Sequence, residues 1–384
     1  MTHLSTDLTD LRTTGTPGEG AAGDGARSGC PVAHGSDGVW TLSTHAAVVQ
    51  AALDPESFSN AVSRHLQVPN GLDGPAHAAF RTVVERYFTP GRMAAVEPVV
   101  RRVATDLVAG LTVPGQVDAV EVGAVFAVRA QCAWLGWPAD LEEGLLRWMA
   151  DHRAATRSGD PARTGEVAAR FTALVRSLTD ARRAAGADAP DDVTTELVRD
   201  HVDGRPLTDE EIVSVLRNWT GGDLTSMALA AGVVLTHLAD DPDLQARVRD
   251  GMPDRELDAV LDEILRIDDP FIGSRRVTTR PVTVAGTQVP AGARVVLSWT
   301  AANRDPAAFG DPDVLDPERN APANLVWGTG SHVCPGRPLA TLELRLLVRE
   351  VLAATTAVEP DPDRPRQREL PPAGGFAVAP VVLR

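Results

Sequence analysis

The sequence contains no lysine: its 37 fixed positive side chains are all arginine, set against 52 acidic residues. The formal charge of −15 repels polyanions and argues against a nucleic-acid-binding protein unless a local patch overrides the sum. Arginine forks suit carboxylates, including those of a bound cofactor, although the surplus of Arg, Ala, Gly and Val also fits the base composition of a GC-rich genome. With one tyrosine and 4% aromatics, a polar aromatic cage for a ligand is not expected. Cysteine is scarce too. Cys30, Cys132 and Cys334 are an odd number, too widely spaced for a zinc knuckle or a disulfide framework, and a reducing, cytoplasmic setting is the simplest reading. No charged head followed by an apolar stretch opens the chain, and no window of about 18 uninterrupted apolar residues follows, so a soluble protein away from membranes is expected.

What is present is ample for a core. The 384 residues are 43% apolar and 23% charged, and a chain of this size buries roughly three quarters of its unfolded surface. Residues 1–38 are rich in Gly, Thr, Ser, Asp and Ala and read as a disordered lead-in, leaving 39–384 as one domain. From Val39, VWTLS alternates like a short strand, and a helix capped at Thr44 runs up to Pro55. Helical patterns dominate to about residue 266. The clearest opens with a Thr208/Glu211 capping box and extends to about Ala239, with Gly221 and Gly222 adjacent at its middle. Each glycine costs about 1 kcal/mol against alanine there, so the pair calls for a reason. Strand texture occupies about 275–300, and 303–324 has little periodicity. An apolar helix then runs to about Val358, and a strand pair is expected around GGFAVAPVVLR. The fold class is mainly α with a small β part.

Cys334 carries the chemistry. Gly328, Gly330 and Gly336 bracket it and a helix begins just after, so free backbone N–H groups and the helix dipole favour its thiolate. A thiolate in such a loop suits a nucleophile or a metal ligand, whereas Cys30 and Cys132 read as small hydrophobes. Glu263 and Arg266 are spaced by three on one helix and can pair.

The run Trp327-Gly328-Thr329-Gly330-Ser331-His332-Val333-Cys334-Pro335-Gly336 resembles the haem-binding loop of the cytochrome P-450 family. Glu263-Ile264-Leu265-Arg266 is similar to the family's E-x-x-R, and Gly221-Gly222-Asp223-Leu224-Thr225-Ser226 to its oxygen-binding segment. The resemblance covers about residues 39–384 and implies a long central helix over haem b, with the cysteine loop beneath. Cys334 is then the axial iron ligand. Gly328 and Gly336 shape the loop, and His77, Arg81, Arg276 and His332 meet the haem propionates. Arg319 joins Glu263 and Arg266 as a third structural partner, and Arg337 lies at the surface or docks a redox partner.

Catalytic positions implied by the same resemblance are Gly222, Asp223 and Thr225, whose hydroxyl helps deliver protons. One position departs from the family: Leu224 stands where an acid normally precedes the threonine. Asp223 lies one residue earlier, rotated by about 100°, and is either a displaced proton donor or a solvated or salt-bridged side chain. Trp327 replaces the commoner phenylalanine, and its indole N–H either donates towards the sulfur or packs. Substrate contacts fall in residues 62–72 and at Leu216, Trp219, Phe271, Ile272 and Phe376, each with core packing as the alternative. The implied activity is a monooxygenase inserting one atom of O2 into a small, secondary-metabolite-type substrate. Electrons would come singly from a separate ferredoxin and ferredoxin reductase. The rival readings are a peroxide-driven or oxidative-coupling haem-thiolate enzyme, motivated by Leu224, and a non-catalytic haem protein that binds a ligand. A cysteine hydrolase using Cys334 and His332 is the third.

Overall fold

The most apolar run of the sequence becomes the axis of the molecule. In the computed structural model, which describes residues 30–63 and 65–384, helices α1 (His45–Ala52), α2 (Gly74–Glu85), α3 (Pro90–Ala109), α4 (Ala119–Leu135), α5 (Glu142–Ser158), α6 (Pro161–Ala185) and α7 (Val193–Val198) precede it. The axis itself is α8 (Asp209–Gly221) followed directly by α9 (Asp223–Asp240). Then come α10 (Pro242–Arg249), α11 (Asp254–Ile267), the single turns α12 (Trp299–Ala302), α13 (Pro306–Phe309) and α14 (Pro317–Asn320), and finally α15 (Arg337–Ala354).

The Thr208/Glu211 capping box forms in both directions, with the Thr208 amide donating to Glu211 at 2.8 Å. The expected continuous helix is instead two, broken at Gly222, which keeps helical angles (φ −80°, ψ −31°) without continuing the hydrogen-bond ladder. Joined end to end, Asp209–Asp240 is long and apolar enough to cross a membrane, but 72% of its most apolar window is buried within the protein. Close packing of α4 on α9 does much of that burying. A Cβ on Gly123 would lie 2.6 Å from the Ala231 Cβ, and one on Gly232 would lie 2.5 Å from Val120 Cγ2, so the helices touch at spots that admit only glycine.

A five-stranded sheet flanks the helices in the order Val32–His34, Val39–Leu42, Arg294–Ser298, Gly273–Thr278, Phe58–Ser59. Its second strand runs parallel to Arg294–Ser298, pairing Val39 with Arg294 and Leu42 with Leu297. The boundary expected at residue 38 is therefore too late. Val32–His34 pairs antiparallel with the next strand because Val32 is a buried apolar anchor, and the remainder of that lead-in, 1–29, lies outside the described residues. The expected terminal strand pair is also corrected. Phe376–Val378 pairs with Gln367–Arg368, while Pro380–Leu383 is the middle strand between Val358–Pro360 and Gly115–Asp118. At α1 the Thr44 side chain makes no capping bond; the His45 amide donates to Asp305, 260 residues away, at 2.8 Å. Across the molecule, the buried Glu369 carboxylate accepts from Arg153 and Arg157 on successive turns of α5.

The helix contact generates a test. Gly232→Val should lower the thermal midpoint by an amount equivalent to about 1–3 kcal/mol, because an overpacked interface must shift. Gly165→Ala, on α6 with nothing within 4 Å of the new methyl, should raise stability by about 0.5–1 kcal/mol. Thermal unfolding followed by circular dichroism measures both, and equal midpoints would contradict this account of the α4–α9 contact.

Candidate haem-thiolate site

The irregular stretch before Cys334 is held by one buried ion pair. Glu263 and Arg266 are 1% and 0% exposed, and their bidentate contact spans 2.8 and 2.9 Å. The guanidinium also donates to the carbonyls of Asn303 (2.7 Å), Pro312 (3.0 Å) and Val314 (3.3 Å), and lies 4.6 Å over the Phe309 ring. Glu263 Oε1 accepts from the Asp316 amide at 3.1 Å and from Asn320 Nδ2 at 2.6 Å. Arg319, expected as the third partner, is exposed and makes no bond to Glu263. Pro317–Asn320 is a single helical turn, so neighbouring side chains point about 100° apart, and the inward direction falls to Asn320, 3% exposed.

The loop itself hangs from α11. Asp262 accepts from the Trp327 indole and from Arg337, both at 2.7 Å, and burial pushes its carboxyl pKa up against the pull of Arg337. The indole N–H is thus committed to Asp262 and not to the sulfur. Arg337 is half-exposed at the loop's edge. The Cys334 amide donates to the Trp327 carbonyl at 2.8 Å, closing the loop. Gly328 and Gly330 have φ of +72° and +75°, where a side chain is strained, and a Cβ on Gly330 would meet the Ala52 carbonyl at 2.9 Å. At Gly336 a Cβ would lie 3.8 Å from both Cys334 Sγ and the Phe88 ring. Backbone N–H groups of Gly336 and Arg337 point at Sγ and lower the thiol pKa, while burial and the charge of Asp223 push it up more strongly.

Beside the loop, His332 meets His77 and Arg81 from α2 and Arg276 from the strand Gly273–Thr278, and the charge of Arg81 reaches Cys334. His77 and His332 lie ring on ring, centroids 4.0 Å apart. Burial holds His77 below its usual pKa, with Arg81 adding to the effect. His332 is pushed down to about 4 by burial and by His77 and Arg276, and burial takes Arg276 down to about 10. Arg276 is 7% exposed; among the described residues it donates only to the neighbouring Arg275 carbonyl (2.8 Å), and the buried His77 Nε2 has no partner. Arg81 pairs with Glu85 at 2.6 Å and donates to the Val333 carbonyl at 2.6 Å. Asp73 approaches His332 at 3.6 Å but is filled by Ser59 and Asn60. A concentration of donors with so little anionic charge of its own fits a ligand bearing carboxylates. His332 Nε2 faces the Asn60 side chain at 3.0 Å and not Cys334, so the pair expected of a cysteine hydrolase is not formed.

Residues 163–381 match the family model for cytochrome P450. The chain belongs to the cytochrome P450 family. Among curated relatives, cyclomarin C epoxidase CymV of Salinispora arenicola is 33% identical over 340 residues, 84% of each chain. Erythromycin C-12 hydroxylase of Saccharopolyspora erythraea is 33% identical over 355 residues, 88% of this chain and 87% of the relative. Among solved structures, a mutant of P450 EryK in complex with erythromycin B superposes with a TM-score of 0.84 at 30% identity, covering 94% of both chains. This P450 is an oxidoreductase of the monooxygenase type with the bacterial haem-thiolate fold.

At the break in the central helix, Gly222 is exposed although Thr220 and Leu224, two residues to either side, are fully buried, so the break borders open space. A Cβ on Gly222 would meet only its own helix's Asn218 carbonyl. Thr225 Oγ1, the hydroxyl expected at this surface, is enclosed and among the described residues has no partner; the Ser226 hydroxyl donates to the Gly222 carbonyl across the break at 2.9 Å. Of the pocket residues expected from sequence, Leu216 (0% exposed) is core, and Trp219 packs with Tyr87, Phe88 and Trp134. Both lie on the buried face of α8, in the packed arrangement that was the alternative for them. Phe376 is buried under the Arg368 guanidinium, Phe271 is half-exposed and bridged to Ala373, and Ile272 is partly buried beside Gly374. The face of α8 that meets residues 66–68 is instead Ser214, Arg217 and Asn218, which bond the backbone of Leu66 and Val68 at 2.8–3.1 Å. Sequence reasoning missed Asn320, Asp262 and Ser226. Only Ser226 had a signal, its spacing of four from Gly222.

Two substitutions separate the expected scaffold partner from the observed one. Asn320→Ala should cost about 1–3 kcal/mol by removing the shortest of the hydrogen bonds that the buried, charged Glu263 Oε1 accepts. Arg319→Ala should stay within about 0.5 kcal/mol. Chemical denaturation reads both, and a larger loss from Arg319→Ala would reverse the assignment.

Proposed function

We propose that this P450 binds haem b with Cys334 as axial ligand and inserts one atom of O2 into a small organic substrate of the secondary-metabolite type. The single observation that carries the site assignment is the under-neutralised donor cluster of His77, Arg81, Arg276 and His332 beside a thiol that receives two backbone N–H groups. The haem, when bound, supplies an iron whose thiolate ligand favours cleavage of the O–O bond. The chain's residues do the rest. The Gly336 and Arg337 amides hold charge on Sγ, and the cluster fixes the orientation of the propionates. Gly222 leaves room at the helix break, and Ser226 presents its hydroxyl there. Support for the substrate class comes from relatives whose names specify cyclomarin C epoxidation and erythromycin hydroxylation. We assign the electron supply to a separate ferredoxin and its reductase and the location to the cytoplasm.

The first test is the spectrum of reduced protein exposed to carbon monoxide. A strongly red-shifted Soret band is expected for the wild type and its loss for Cys334→Ser; a variant that keeps the band would remove Cys334 as ligand. Arg276→Ala should release haem faster to apomyoglobin. With a turned-over substrate, Ser226→Ala should raise peroxide release relative to product, on the order of tenfold. The same shift from Thr225→Val, with Ser226→Ala silent, would return that role to Thr225. Product formed with hydrogen peroxide but not with ferredoxin and reductase would favour the peroxide-driven alternative.

A further inference from the structure

The central helix breaks where two adjacent glycines permit it, but glycine only lowers the cost of a break and does not select one. α8 ends at Gly221 and α9 begins at Asp223, so the carbonyls of the last turn of α8 and the amides of the first turn of α9 are left without each other. Gly222 itself keeps helical angles (φ −80°, ψ −31°), so a small movement would close the ladder again. A contact from outside the helix has to hold the two halves apart.

A side chain of α4 makes that contact. Gln131 is 1% exposed, and its Nε2 donates at 2.7 Å to the carbonyl of Trp219, in the last turn of α8. In a continuous helix this carbonyl accepts from the amide four residues on, that of Asp223. A carbonyl can only accept, so the bond fixes the orientation of the Gln131 amide and leaves Oε1 buried and, among the described residues, without a partner. Leucine would fill the same place without desolvating a polar group, so what glutamine adds here is the donor.

The aim of Gln131 is set by the packing of its helix. Val120 lies against Gly232, Gly123 against Ala228 and Ala231, and Gln131 against Trp219, so α4 runs antiparallel to the central helix and meets it at three successive levels. At the middle level a Cβ on Gly123 would lie 2.8 Å from the Ala228 carbonyl, a contact that admits no side chain. Gln131 follows about two turns, or roughly 12 Å, further along α4. Trp134, nearly one turn beyond it, packs on the Trp219 ring with centroids 5.1 Å apart. Trp219 is thus held from α4 at its ring and at its carbonyl.

We propose that Gln131 is a positioning residue that keeps the central helix open at Gly222. By holding the Trp219 carbonyl it denies the Asp223 amide its acceptor, and so sets the space beside Gly222 that a ligand of the haem iron would enter. The link to the iron rests on the haem-thiolate reading; the hold on the helix does not.

Q131M keeps the length of the side chain and removes its donor. In the haem-loaded ferric protein, hydrogen exchange of the segment 219–226, followed by mass spectrometry, should slow by about fivefold, the net contribution of one hydrogen bond, because the freed carbonyl returns to the Asp223 amide. Mere loosening of the core would speed exchange instead. Q131L, which removes the donor with a shorter side chain, should reproduce the slowing. In the reduced Q131M protein under carbon monoxide, the C–O stretch should move and rebinding after a light flash should slow by about the same factor. Q245M is the control: Gln245 is 3% exposed and donates to the Leu238 carbonyl at 2.7 Å, near the far end of α9. It should lower the thermal midpoint and leave the exchange of 219–226 and the C–O stretch unchanged. Unchanged or faster exchange in Q131M would overturn the proposal, as would an equal effect of Q245M on either reading. Slower exchange with an unmoved C–O stretch and unchanged rebinding would overturn the role over the iron. A wild type without the red-shifted carbon monoxide band would instead defeat the haem-thiolate reading, while exchange still decides the hold on the helix.

Discussion

One buried ion pair sets the position of everything beneath the central helix. Arg266 and Glu263 carry opposite charges into a water-free interior, where a lone partner would be strongly destabilising, by about 3–5 kcal/mol on general grounds. Neither spends its capacity only on the other. Arg266 gathers three carbonyls spread over residues 303–314, and Glu263 gathers the Asp316 amide and the Asn320 side chain. A stretch with almost no regular structure of its own thereby acquires a fixed course. The cysteine loop continues from it, and α11 anchors both, the pair through its last turns and the loop through Asp262.

The site assembled on this anchor is electrostatically lopsided. Histidines and arginines from α2, a sheet strand and the loop crowd one side of Cys334 and depress one another's protonation. On other elements, burial pushes up the carboxyls of Asp223 at the helix break and Glu343 on α15. Such a separation is costly for the protein alone, and a ligand carrying carboxylates at one edge removes the cost at the cationic side. Cofactor binding and folding stability are therefore linked here, since a ligand held only by the native state stabilises it by mass action.

Much of this was legible in the sequence because it resides in short-range patterns. The spacing from Trp327 to Gly336, the capping box at Thr208 and the three-residue step from Glu263 to Arg266 depend on local geometry, and the structure reproduces each. Features fixed by the phase of an element against distant neighbours were not legible. A single turn decides between Arg319 and Asn320, and the inward face of α8 takes Leu216 and Trp219 into the core. Glu343 gave no signal at all, since one acid among the leucines of α15 looks like an ordinary break in an apolar face.

The same long reach bears on the order in which the molecule can assemble. Val39–Leu42 finds its parallel partner only at Arg294–Ser298, and Gly115–Asp118 joins a sheet whose middle strand is Pro380–Leu383. Contacts so remote in sequence delay folding, and on the ribosome each is unavailable until its later strand has emerged. The helices around α4 and α9 can associate first, leaving both sheet edges unpaired in the meantime. Native closure of that sheet then waits for the strand Pro380–Leu383.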